Sequence, residues 1–170
     1  MTYYIWLLRI VHIVAGVFWV GGTLMMTFFI APAIGATAEA GQKFIGHLMG
    51  NLKFSQRMSA AAGLTILAGF LLYWNDSSGF SATAWMRSGA GIGFGIGAGF
   101  ALVGFVFGIL IGQTTKAMAQ LGAQFQGKPT DEQMSQMRAL QKKQGTFSMT
   151  ASVTLLLALV FMSIARYFVF

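Results

Sequence analysis

The chain opens with an apolar run from Tyr4 to Ile30, which carries Arg9 and His12 inside it and is long enough for one membrane-spanning helix. Ala31-Pro32 reads as its exit, because proline has no backbone N–H to donate. Over 42–56, Phe44, Ile45, Leu48, Met49 and Leu52 recur on one face at helical spacing, which predicts an amphipathic approach along an interface. A second span follows at about 57–74, closed by the turn-forming Asn75-Asp76-Ser77-Ser78-Gly79. The third covers about 84–112 and continues as a polar helical extension over 113–126. Gly127-Lys128-Pro129 breaks the chain, Thr130 is placed to cap the next helix, and a basic, glutamine-rich stretch over 131–146 leads into a fourth span, 147–170. No period-2 strand pattern and no linker to a second domain interrupts this order. The expected fold is all-α: an integral membrane four-helix bundle occupying 1–170 as a single domain.

Composition strengthens that expectation. Hydrophobic residues make up 56% of the chain and charged ones 9%, with a mean hydropathy of +0.68. A net charge of +7 in a soluble chain would suggest nucleic acid, but here the basic residues gather in loops, where they meet lipid headgroups. The bilayer is therefore the expected partner and nucleic acid is not. The first run far exceeds the apolar core of a signal peptide, so it is expected to stay as a helix. Cysteine is absent, which removes disulfides and thiolate metal sites.

Orientation follows from the cations. Lys43, Lys53, Arg57, Lys116, Lys128, Arg138, Lys142 and Lys143 flank the first and third loops, against Arg9, Arg87 and Arg166 on the other side. The excess puts the large loops in the cytoplasm and both termini on the same, periplasmic side. Tyr3, Tyr4, Trp6, Trp74, Trp85 and Tyr167 gather at the same outer edge, as an aromatic belt does.

Candidate chemistry centres on His12. It shares a helical face with Ile5, Arg9, Gly16, Trp19 and Thr23, a mixed face expected to look into the bundle. Such a histidine is either a bond between helices or a neutral imidazole ligand for a metal or haem iron. At about 1.5 Å per residue, the level of His12 on the other helices falls near Gly91 to Gly93 and near Met162. Gly91, Gly95 and Gly99 line one face of the third helix, and Gly93, Gly97, Gly104 and Gly108 the opposite one. These faces suit close helix packing, within the bundle, in a homo-oligomer or in a larger membrane complex, and a glycine platform could also carry a flat macrocycle. Haem would then be held by His12 and Met162 as iron ligands, over Gly91 and Gly95, with Arg9, Arg87 and Arg166 near its propionates; the alternative for these arginines, and the commoner one, is that they reach lipid phosphates by snorkelling. His47 lies at the opposite surface and is expected to be solvated. The methionines could serve copper but form no tight sequence cluster.

At HIVAGVFWVGGTLMMTFFIAPAI the chain resembles a superfamily of small bacterial four-helix membrane proteins that includes the CopD-like copper-resistance proteins and the HemJ-like protoporphyrinogen oxidases. His12, Trp19 and Gly21-Gly22 match its first-helix pattern, and the Ala31-Pro32-Ala33 exit, the basic approach ending in Arg57 and the Gln/Lys/Arg-rich third loop fit its layout. The resemblance implies a bacterial inner-membrane location. It implies haem (haem b) binding and porphyrin oxidation for one branch, copper passage for the other, and it carries over His12. Three functions remain open from the residues: a haem-binding redox protein, a copper-handling protein, and a non-catalytic accessory subunit. No hydrolase constellation or phosphate-binding loop is present.

Overall fold

A computed structural model describes residues 2–125 and 127–169; Met1, Gln126 and Phe170 lie outside the described residues. All regular structure among them is helical: α1 (Thr2–Met25), a π-helical turn (Met26–Ile30), α2 (Ala31–Ala36), α3 (Ala38–Gly50), α4 (Phe54–Asp76), α5 (Thr83–Met86), α6 (Gly89–Gly122), α7 (Asp131–Ile164) and a closing 3-10 turn (Ala165–Tyr167). Four of the helical stretches are long and apolar enough to cross a membrane, Tyr3–Ala36, Phe54–Asp76, Gly89–Gly122 and Asp131–Tyr167. That agrees with the four spans and the all-α class read from the sequence.

The first helix does not stop at Pro32. It widens into the π turn, in which the Ala31 N–H bonds back to the Met26 carbonyl, five residues away in sequence, and continues as α2 with the proline in its first turn. The widened turn stands immediately before the ring, where an unbroken α-helix would be short of one donor and crowded by the pyrrolidine. The amphipathic approach is helical as expected, but it ends at Gly50. Asn51–Lys53 then turn the chain, with Lys53 at φ 51°, so that the second span starts at Phe54. At the other end, Ser88 caps α6 by accepting from the Gly91 N–H at 3.3 Å, which separates α6 from the single turn α5 and puts Arg87 in the break. Thr130 caps α7 in a reciprocal capping box with Gln133, at 3.2 Å and 3.0 Å.

Packing divides the spans into two sequence-adjacent pairs, α1 with α4 and α6 with α7; contact between the pairs is sparser. The α6–α7 pair is close where glycines of α6 face α7 and the turn that closes it. A Cβ at Gly93 would press on Ala165, one at Gly97 on Met162 and one at Gly104 on Leu155, while Gly89 lies against the Phe168 backbone. The two pairs meet at a small core of Trp19, Ala61, Ala62 and Leu155, with Trp19 set edge-on to Phe105 at 6.3 Å between ring centroids. Hydrogen bonds also cross between the pairs: the Ser152 hydroxyl, fully buried, donates to Thr27 in the π turn at 3.0 Å, and the Tyr73 hydroxyl of α4 donates to the Gly91 carbonyl of α6 at 3.3 Å. Much of the remaining apolar surface is exposed, including Leu7, Ile10, Val14, Val17 and Phe18 along one side of α1.

Candidate functional site

His12 sits on α1, half-buried, and its ring is aimed at α4. Nδ1 lies 2.8 Å from the backbone carbonyl oxygen of Thr65. A carbonyl only accepts, so Nδ1 carries the proton in this bond. In the neutral ring the lone pair then belongs to Nε2. Nε2 makes no hydrogen bond to protein among the described residues. The ring can approach α4 this closely because residue 69 is glycine. A Cβ there would come within 2.7 Å of Cε1 and 2.9 Å of Nδ1. One turn along, Gly16 fits over the Thr65 methyl, and Thr65 keeps its own hydroxyl bonded to the Ala61 carbonyl at 2.8 Å. Gly16, Thr65 and Gly69 together make the seat.

The other expected participants are distributed differently. Met162 packs on Gly97 within the α6–α7 pair, so it and His12 have separate packing partners. Gly91 is buried under the α5 backbone at Trp85 and Met86, and its carbonyl accepts from the Tyr73 hydroxyl at 3.3 Å. Gly95 has the same Tyr73 hydroxyl as its neighbour, and Tyr73 in turn stands edge-on to Trp85 at 5.1 Å. Gly91 and Gly95 therefore carry aromatic side chains of this chain, not an open platform. Gly99, Gly108 and Gly112 have nothing near where a side chain would project. The expected pair of glycine faces is thus one closed by α7 at Gly93, Gly97 and Gly104 but open at Gly108, and one covered only at its α5 end.

Arg9, Arg87 and Arg166 are all exposed. Arg9 is one turn from His12, Arg87 adjoins the break before α6, and Arg166 adjoins Ala165, which packs on Gly93. Contacts of His12 with Gly69, Tyr73 with Gly91, and Gly89 with Phe168 tie these positions to one end of the bundle. Among the described residues none of the three arginines has a carboxylate partner, and the single ion pair is Lys43–Glu39, at 2.8 Å. His47 is exposed on α3, as expected. No group of three or more His, Cys, Asp or Glu side chains is placed to share a metal ion among the described residues. Two methionine sulfurs are engaged locally, Met49 accepting from the Ser55 hydroxyl at 3.3 Å and Met58 filling the space over Gly22.

Two features escaped the sequence reading. Thr65 and Gly69, the seat of His12, gave no local signal, since a lone glycine in an apolar run is ordinary. The Thr27–Ser152 and Thr115–Gln144 bonds, both 3.0 Å, mark a polar line on α7 formed by Gln144, Ser148 and Ser152 at intervals of four residues, a spacing the sequence does display. Comparison with known proteins finds no matching family model, no matching curated protein and no matching solved structure.

Proposed function

We propose that the chain is an integral protein of the bacterial inner membrane that binds haem through a single protein ligand, His12. The observation that carries this reading is the bond from Nδ1 to the Thr65 carbonyl with Nε2 left unbonded. Metal-bound histidines as a rule donate their second ring N–H to a carbonyl or carboxylate, which fixes the tautomer and raises the basicity of the ligating nitrogen. Thr65 supplies that acceptor, and Gly69 fixes the plane of the ring. Arg9, Arg87 and Arg166 supply cations at the same end that have no acidic partner among the described residues, which suits the carboxylate arms of a porphyrin. Bound haem would supply one-electron or porphyrin-centred redox chemistry. The likeness of HIVAGVFWVGG to the HemJ-like branch favours the same group.

The fit does not extend to Met162, Gly91 and Gly95, which are occupied in packing, so they are not part of the proposed ligand set. Copper handling, the alternative from the CopD-like branch, has less support: no group of three or more His, Cys, Asp or Glu side chains is placed to share an ion among the described residues, and the thioethers of Met49 and Met58 are engaged with Ser55 and Gly22.

A second reading has its own observation. The notch at Gly69 also suits a histidine that simply fastens α1 to α4, in an accessory subunit whose open glycines at Gly99, Gly108 and Gly112 meet a partner helix. The absorption spectrum of the extracted protein separates the readings. A Soret band that is lost in His12→Ala and kept in Met162→Leu is the expected result. Colourless protein holding stoichiometric copper would favour the copper alternative, and colourless, metal-free protein co-purifying with larger subunits would favour the accessory one.

A further inference from the structure

At the end of the bundle away from His12, α6 and α7 part enough to leave a cavity of about 180 Å³. Leu110, Ala117 and Phe147 give it an apolar side, and Gln113, Thr114 and Lys143 a polar one. Its level in the sequence is informative. Gln113 is the first residue after the apolar run of α6, and Lys143 is one turn before Phe147, where the apolar run of α7 begins. On both helices, then, the cavity straddles the step from apolar to polar, which is where a lipid phosphate lies in a bilayer.

The electrostatics point the same way. The Lys143 ammonium is held 5.5 Å from the centroid of the Phe147 ring and has no carboxylate partner among the described residues. Lys116 lies one turn beyond Gln113, and the acids of α7, Asp131 and Glu132, are at its far N-terminal end, about 16 Å along the helix from Lys143. Thr114 spends its hydroxyl proton on the Leu110 carbonyl, at 2.8 Å, so Lys143 and the Gln113 amide are the donors the cavity offers. We propose that this groove is a binding site for an anionic phospholipid, whose phosphate is taken by Lys143 and Gln113 and whose glycerol and first acyl carbons lie against Leu110 and Phe147, on the span side of Gln113 and Lys143.

Free phosphate shares the headgroup chemistry but would leave the apolar half of the cavity without an occupant. The inference rests on the membrane-embedded reading of the four spans and is independent of haem. The test uses the full chain in detergent, titrated with dioleoyl phosphatidylglycerol, dioleoyl phosphatidylcholine or inorganic phosphate, with bound lipid counted by native mass spectrometry. The expected result is a preference of at least about fivefold for phosphatidylglycerol, lost in Lys143→Gln, weakened in Gln113→Leu, restored by Lys143→Arg and unaffected by Lys142→Gln. Equal uptake of the two lipids, an equal loss in Lys142→Gln, or displacement of phosphatidylglycerol by millimolar inorganic phosphate would each overturn it. Failure of the chain to stay in carbonate-washed membranes would instead sink the membrane reading beneath it.

Discussion

Gly69 is the residue on which the His12 geometry turns. Its missing side chain is filled by the imidazole, and a methyl group there would stand 2.7 Å from Cε1. The ring would have to shift away from α4, so Gly69→Ala is expected to break the bond to Thr65. Overpacking of this kind costs about 1–3 kcal/mol, against the modest gain that alanine brings to a helix interior. Thermal unfolding in detergent should show a lower midpoint for Gly69→Ala, and the variant should retain less haem. Gly63→Ala on the same helix meets nothing within 4 Å and serves as the control, with an unchanged or raised midpoint. A normal midpoint in Gly69→Ala would mean that the notch is not a constraint. His12 itself was legible in the sequence because an imidazole inside an apolar run is costly unless it is bonded or used. Thr65 and Gly69 were not, because the contact that gives them meaning joins residues 53 apart in the chain.

Among the elements, α6 illustrates how far a stripe can be read. The glycine spacing announced close packing, yet it did not say which face α7 would take. The structure gives α7 the face of Gly93, Gly97 and Gly104, and leaves Gly108 with open space despite its place in the same sequence pattern. Past Gly104 the contact between the two helices passes to other side chains, with Phe107 edge-on to Phe147 at 5.6 Å and Thr115 bonded to Gln144 at 3.0 Å. Gly97→Leu should therefore separate the α6–α7 pair and lower the unfolding midpoint by several degrees, whereas Gly108→Leu should leave it within error. If both variants lost equal stability, Gly108 would have to be packed as closely as Gly97. The path of α1 through Pro32 was also not legible locally. A proline after an apolar run normally signals an end, and only the π turn at Met26–Ile30, which also carries the Thr27 acceptor for Ser152, shows how the helix goes on.

Across the whole molecule, the division into two pairs gives the bundle a fixed end and a set of exposed apolar flanks. Trp19, Leu7, Ile10 and Val17 lie on one helix, but only the indole is buried, at 4% exposure; the others are 59% exposed or more. Such surface is unfavourable in water and ordinary in hydrocarbon, and the composition points the same way. The sidedness that the lysines and arginines imply can be checked directly, since the chain has no cysteine of its own. With single cysteines at Lys53, Ser78 and Lys128, a membrane-impermeant maleimide applied to intact cells should label the Ser78 site alone. Labelling of the other two instead would invert the topology and move His12 to the cytoplasmic half.

The central claim, that His12 is a ligand and not merely a fastener, is tested most directly by removing the ring and returning it as a free molecule. Haem binding to His12→Gly should fall by at least about tenfold and recover when imidazole is added, with the Soret band returning to its original position. Haem binding that is unchanged in His12→Gly, or a loss that imidazole does not repair in a variant of normal stability, would contradict the account.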